Sequence, residues 1–267
     1  MKIALCIKQV PDTTDIKWTE HNTIQREGVE SIINPYDVYA AELALKIKSE
    51  INNTKITVFT MGPMQAEVML RKVLAIGCDD AVLISDKKFA GADTYATGVT
   101  LSQAIKTMLP GFDLILCGQF AIDGDTAQTG PSIANFLDIP QVTYVKDFVE
   151  YKDKALYFTR EMEDGIETVK TSLPVLACVL KSDFEPSRAC INGVISASKK
   201  IIKVCTMEDI SLTADKVGIK GSPTYVSKAF RNISSHNVQK HKLSVFDSVK
   251  LLSEKLSALT GEGNSDE

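Results

Sequence analysis

Leu114-Ile115-Leu116-Cys117-Gly118-Gln119-Phe120-Ala121-Ile122-Asp123-Gly124-Asp125-Thr126-Ala127-Gln128-Thr129-Gly130-Pro131-Ser132-Ile133-Ala134-Asn135-Phe136-Leu137 is the stretch on which the fold turns. Its apolar start, 114–117, reads as a buried strand, and 132–137 reads as a helix. Between them lies a turn rich in glycine and hydroxyl groups. Strand, open turn and helix start together suit a phosphate-bearing ligand. Free N–H groups at a helix N-terminus point outward, and the helix dipole favours negative charge there. Pro131 fits the first helical position, where its missing N–H is not needed. Gly124 and Gly130 are expected to let the backbone turn tightly and approach a ligand closely. A carboxylate repels phosphate. Asp123 and Asp125 are therefore assigned hydrogen bonds from turn N–H groups, or from a ribose or ribityl hydroxyl. The competing reading is an ordinary Asx-stabilised strand-to-helix turn.

Upstream of this stretch, strands and helices alternate. Residues 3–7, 55–61 and 81–84 read as strands, and 65–76 and 93–108 as helices, the first of these stopped by Gly77. Asn34-Pro35-Tyr36-Asp37 opens another helix: Asn34 caps, Pro35 takes the next position and Asp37 reaches back. Ala40, Leu43, Ala44 and Ile47 then recur on one face. This rhythm implies an α/β fold, a mostly parallel, doubly wound, Rossmann-like sheet of the adenine-nucleotide-binding kind. In such sheets ligands bind beyond the carboxyl ends of the strands, here 6–10, 61–62 and 118–130.

Past Pro140 the pattern changes. Residues 148–151, 155–160 and 166–170 read as an antiparallel addition, and 175–180 as another buried strand. From about residue 209 apolar density falls, and Gly218, Gly221 and Pro223 mark an extended connector. Ser244 and Asp247 form a capping box for a last helix, 244–259, striped by Val245, Val249, Leu252, Leu256 and Leu259. Too little chain lies nearby to bury that stripe, so this C-terminal helical arm is expected on a partner subunit. The expected division is a nucleotide-binding domain over 1–205, then connector and docking helix over 206–267.

Bulk properties exclude several classes. The 267 residues are 44% hydrophobic and 24% charged, with net charge −4, so no basic field argues for nucleic acid. No apolar segment is long enough to span a bilayer, and the N-terminal strand is too short for a signal peptide. Six scattered cysteines without a Cys-x-x-Cys pair suit a reducing, cytoplasmic setting. Three histidines without metal-ligand spacing argue against a metal. There is no Gly-x-Gly-x-x-Gly after the first strand, no Walker A sequence and no Gly-x-Ser-x-Gly elbow. Cys6 and Cys117 end buried strands and read as packing residues. The residues alone thus describe a nucleotide-binding α/β protein with no evident catalytic group of its own. A stress-protein-like ATP-binding domain would share the sheet, but its glycine-rich phosphate loop is not visible here.

Several segments in order and spacing resemble the beta (small) subunit of electron-transfer flavoproteins. They are Cys6-Ile7-Lys8-Gln9-Val10-Pro11-Asp12, Asn34-Pro35-Tyr36-Asp37, Met61-Gly62-Pro63, the stretch quoted first, Glu163-Asp164-Gly165-Ile166-Glu167 and Val217-Gly218-Ile219-Lys220-Gly221-Ser222-Pro223-Thr224. The resemblance implies an alpha–beta heterodimer whose alpha subunit carries a redox flavin. Ordinary beta subunits bind AMP, whereas electron-bifurcating ones bind a second FAD reduced by NADH. This chain is similar to the bifurcating type at Asp123 through Gln128 and at Gly130-Pro131. AMP-binding members tend toward an acid at the Gly124 position, Asn at Ala127 and Gln at Pro131. Thr129 departs, since bifurcating members usually have Val there. FAD is therefore the expected cofactor, with AMP as the alternative.

On this resemblance Cys6, Asn34, Pro35, Tyr36, Asp37, Met61 and Asp123 onward line the nucleotide. Thr126, Ala127, Gln128, Thr129, Gly130, Pro131 and Ser132 hold the phosphates. Thr13 lies toward the alpha subunit's flavin. Electrons are expected to pass from NADH to ferredoxin or flavodoxin and, through the alpha subunit, to a flavin dehydrogenase. A loop near 185–200, anchored by Ile191 with Arg188 and Asn192 beside it, is expected to dock that dehydrogenase. Ser187-Arg188 stand where Arg and Tyr are usual, which leaves an acyl-CoA and a 2-hydroxyacid (lactate-type) dehydrogenase both open.

Overall fold

A computed structural model describes residues 1–12, 31–182, 185–227 and 240–260. Thr13 lies outside the described residues. The elements are β1 (Lys2–Cys6), β2 (Gln9–Pro11), β3 (Ser31–Ile33), α1 (Pro35–Glu50), β4 (Lys55–Met61), α2 (Glu67–Ala75), β5 (Asp80–Ile84), α3 (Thr94–Met108), β6 (Leu114–Gly118), α4 (Thr129–Leu137), β7 (Gln141–Lys152), β8 (Ala155–Met162), β9 (Gly165–Ser172), β10 (Val175–Val179), α5 (Ile191–Lys199), β11 (Lys203–Cys205), α6 (Gly218–Gly221) and α7 (Val245–Thr260).

Nine strands form one sheet in the order β11-β5-β4-β1-β6-β10-β7-β8-β9. From β11 to β7 the neighbours run parallel, and β7-β8-β9 is an antiparallel extension. β1 is buried on both faces, which explains its unbroken apolar sequence. The chain winds from β1 through α1 to β4 and through α2 to β5, then crosses by α3 to β6 on the other side of β1. The direction of winding reverses between β1 and β6, and that reversal opens a crevice beyond their carboxyl ends. Two apolar layers cover the sheet. One contains Leu43 and Ile47 of α1 with Leu70 and Val73 of α2. The other contains Leu101 and Ile105 of α3 with Ile133 and Ala134 of α4.

Four sequence expectations shift. α4 begins at Thr129, so Pro131 is its third residue and not its first. The position tolerates proline because the first turn has no intrahelical acceptor for any of its N–H groups. β7 starts directly after Pro140 and pairs with β10 before it turns into the antiparallel extension. The expected loop over 185–200 contains α5, whose Gly193 sits so close to the carbonyl of Ala75 that a Cβ would not fit. The two-stranded β2–β3 sheet has no counterpart in the apolar pattern.

The chain separates into two compact units, Met1–Lys228 and Ala229–Glu267. Residues 206–227 belong to the first, and Met207, Ile210 and Val217 are buried in its core. The second holds α7, where Ser244 Oγ accepts from the Asp247 N–H at 3.2 Å and donates to Asp247 Oδ2 at 2.6 Å.

Gly130 is where α4 crosses the sheet. A Cβ there would collide with Cys178 Sγ and lie 2.9 Å from Cys117 Sγ. Its missing side chain serves helix–strand packing. Gly130→Ala should therefore destabilise the fold by about 1–3 kcal/mol, read as a lower denaturant midpoint with unchanged slope.

Candidate functional site

The crevice at the β1/β6 reversal is built around Asp37, which is 5% exposed at the start of α1. Asp37 Oδ2 accepts from the Lys8 N–H at 2.7 Å and Oδ1 from the Gly118 N–H at 2.8 Å. One carboxyl group thus ties the ends of the two strands that diverge at the crevice. Gly118 permits this approach, since a Cβ would lie 2.5 Å from Asp37 Oδ1 and 2.6 Å from Tyr36 Cβ. Asn34, buried one residue before α1, also differs from its expected role. Its side chain makes no cap bond; Nδ2 donates to the Phe120 carbonyl at 2.7 Å and Oδ1 accepts from the Ile122 N–H at 3.2 Å. The Asn-Pro-Tyr-Asp segment therefore braces the loop after β6 from the side, and long-range backbone groups take the bonds that local capping would use.

Beyond this brace opens a cleft of about 940 Å³. One wall is the loop 118–130. Its left-handed residues are Asp125 (φ 49°) and Ala127 (φ 55°), while Gly124 has open space where a Cβ would stand. Asp123 is not held by turn amides. Lys8 Nζ lies 2.6 Å from its Oδ1, and the carboxylate side chain is 5% exposed against 44% for the lysine. The cation neutralises the carboxylate that would otherwise oppose an anionic ligand. Thr129 and Gly130, at the start of α4, also line the cleft. Their amides have no partner among the described residues, and they lie at the positive end of the helix dipole.

The opposite wall was not legible in sequence. It is the loop 85–94, which includes Lys87 and Asp93. Asp93 Oδ1 caps α3 through the Ala96 N–H at 2.9 Å, and Oδ2 accepts from the Thr224 N–H and hydroxyl at 3.0 and 2.7 Å. Burial works against this charge, but those bonds outweigh it and hold the carboxyl below its usual value. The segment expected as a connector therefore straps this wall in place. Gly218, at φ 58°, leaves no room for a Cβ beside the Lys88 carbonyl. Thr94 Oγ1 donates to Gln128 Oε1 at 3.1 Å, joining the two walls.

Of the expected site residues, Cys6, Asn34, Asp37, Met61 and 123–130 line this one cleft. Pro35, Tyr36, Pro131 and Ser132 stand outside its wall. Tyr36 packs edge-on against Phe120 at 5.4 Å, and Ser132 faces Gly98 where α4 meets α3. Burial raises the thiol of Cys6, and hydrogen bonding with Cys178 together with burial raises that of Cys117, so both stay protonated. On another part of the surface, Ile191 is 79% exposed at the start of α5, Asn192 follows it, and Arg188 lines a separate cavity of about 470 Å³. No group of side chains suited to a metal occurs among the described residues, and no described helix is long and apolar enough to cross a membrane.

A mostly parallel α/β sheet with a cleft at its winding reversal and a helix N-terminus in one wall belongs to the class of open α/β proteins that receive ligands beyond the carboxyl ends of their strands. Residues 21–209 match the electron transfer flavoprotein domain. The chain is 47% identical over 228 residues to the electron transfer flavoprotein subunit beta of Thermoanaerobacterium thermosaccharolyticum, covering 85% of this chain and 86% of that one. It is 46% identical over 231 residues to the caffeyl-CoA reductase-Etf complex subunit CarD of Acetobacterium woodii, covering 86% and 87%. It is 42% identical over 237 residues to the acryloyl-CoA reductase electron transfer subunit gamma of Anaerotignum propionicum, covering 86% and 88%. The chain belongs to the electron transfer flavoprotein family, among its beta subunits.

Burial pushes the Asp37 carboxyl up to about 7, outweighing the Gly118 and Lys8 amide bonds that favour its charge. The folded chain then holds this proton more tightly than the unfolded chain, whose carboxyl keeps its ordinary value of 3.8. Its contribution to stability is complete below that value and is lost as pH rises through about 7. Asp37→Asn leaves one buried backbone N–H facing an amide donor and should cost about 1–3 kcal/mol. Urea melts should show the deficit of Asp37→Asn relative to the parent shrinking as pH rises from about 4 to about 7 and staying constant above that.

Proposed function

We propose that this chain is the beta subunit of an electron-bifurcating electron transfer flavoprotein heterodimer, with FAD in the β1/β6 cleft. The observation that carries the reading is the size and run of that cleft. At about 940 Å³, reaching from Cys6 and Asp37 at the strand reversal to Lys87 and Thr94 beyond β5, it suits a dinucleotide better than a mononucleotide less than half that ligand's size. Two relatives add support, since their names place them in CoA-ester reductase complexes with an electron-transfer subunit.

The residues present fit the group. The amides of Thr129 and Gly130 and the hydroxyls of Thr126 and Thr129 would hold the diphosphate. Lys8 keeps Asp123 neutralised beside it. The open space at Gly124 gives the ligand access to the loop backbone. Cys6 and Cys117 give the inner end an apolar lining that excludes water. Bound there, FAD would supply acceptance of two electrons from NADH and their release one at a time. One electron would leave to ferredoxin or flavodoxin and the other to the alpha subunit's flavin, which feeds an acyl-CoA or lactate-type dehydrogenase. The exposed Ile191 on α5, beside Arg188 and Asn192, would dock that dehydrogenase.

Thr129 favours the alternative, a structural AMP in the same cleft with all redox chemistry in the alpha subunit. Absorbance and nucleotide analysis of the purified complex separate the two. The expected outcome is two flavins per heterodimer, both bleached by NADH. One flavin with one AMP would establish the alternative.

A further inference from the structure

We propose that Gln119 reads the ligand of this cleft by donating a hydrogen bond from its side-chain amide to an acceptor atom on the bound nucleotide. The inference rests on the nucleotide reading of the cleft and adds a recognition residue to it. Gln119 lines the cleft just past β6 and is 4% exposed. Its backbone N–H donates to the Val179 carbonyl at 2.8 Å, which fixes the residue at the end of β10. Its side chain crosses to β7, where Oε1 accepts from the Tyr144 N–H at 2.7 Å.

That bond settles which end of the amide is which. An NH₂ group cannot face the Tyr144 N–H, so the oxygen points there and Nε2 takes the other position. Nε2 has no hydrogen-bond partner among the described residues. It is not among the buried atoms left without a partner, so solvent reaches it, and an acceptor on a bound ligand would take the place of that water.

The surrounding backbone is shaped to hold this orientation. Tyr144 adopts φ 59°, a conformation that a bulky residue rarely takes and that costs free energy. It sits where the β10–β7 register shifts between Ala177 and Val179. The amide is thus held in place before any ligand arrives, and a preorganised neutral donor selects by hydrogen-bonding pattern and not by charge.

The test is calorimetric titration of the nucleotide-depleted complex, containing the full chain, with AMP and with FAD. Gln119→Glu keeps the shape and the acceptor for Tyr144 but turns the donor into an acceptor. It should weaken binding about tenfold or more, and Gln119→Met, which removes the donor without adding a charge, should weaken it as well. Loss with both ligands places the acceptor on the AMP half, and loss with FAD alone places it on the flavin half. Either supports the inference. Parental affinity for both ligands in Gln119→Glu overturns it. Should the buried charge prevent folding, parental affinity in Gln119→Met overturns it instead. A parent chain that binds neither nucleotide overturns the reading of the cleft itself, and this inference with it.

Discussion

The site depends on one buried carboxyl group. Asp37 accepts from backbone amides at the ends of β1 and β6, the two strands whose outgoing connections run in opposite directions. Where winding reverses, a parallel sheet necessarily leaves strand-end amides without sheet partners, and an unpaired buried amide is costly. A side chain from the helix that follows β1 meets both. The solution requires a residue without Cβ opposite it, and Gly118 is that residue. Asn34 continues the brace into the loop beyond, bonding Phe120 and Ile122. The first turn of α1 therefore fixes the shape of a loop more than eighty residues later in the chain.

The electrostatics of the cleft follow from the same brace. Lys8, whose backbone is fixed by Asp37, places its ammonium on Asp123. The Asp123 carboxylate is then a strut between loop and strand, and its charge is met within the protein. The far wall is secured by a second aspartate. Asp93 caps α3 and is tied to Thr224, and its pKa moves in the opposite direction from that of Asp37. Burial dominates at Asp37, whereas at Asp93 the donors outweigh it.

Glycines and cysteines around the cleft serve packing and lining together. Gly130 lines the cleft, and the close approach that its missing side chain permits is to Cys117 and Cys178 in the sheet. The left-handed turns of the loop 118–130 fall on Asp125 and Ala127 and not on Gly124. Cys6 and Cys117, read as packing residues, are packed in the apolar layer of α3 and α4 and also line the cleft, with their thiols held protonated.

The alternation of apolar runs and amphipathic helices by itself determined the parallel α/β sheet, its antiparallel extension and the placing of a long loop between β6 and α4. Those features follow from periodicity and from backbone hydrogen bonding, which are local in the chain. Only the tertiary structure decided that Asn34 and Asp37 bridge strand ends and do not cap α1, that Lys8 pairs with Asp123 and that residues 217–226 strap the far wall. It also decided that the Gln119 amide is turned by the Tyr144 N–H. Each of these joins groups at least 25 residues apart. Such pairings carry no periodic signal, because they depend on which strand ends the winding of the sheet brings together.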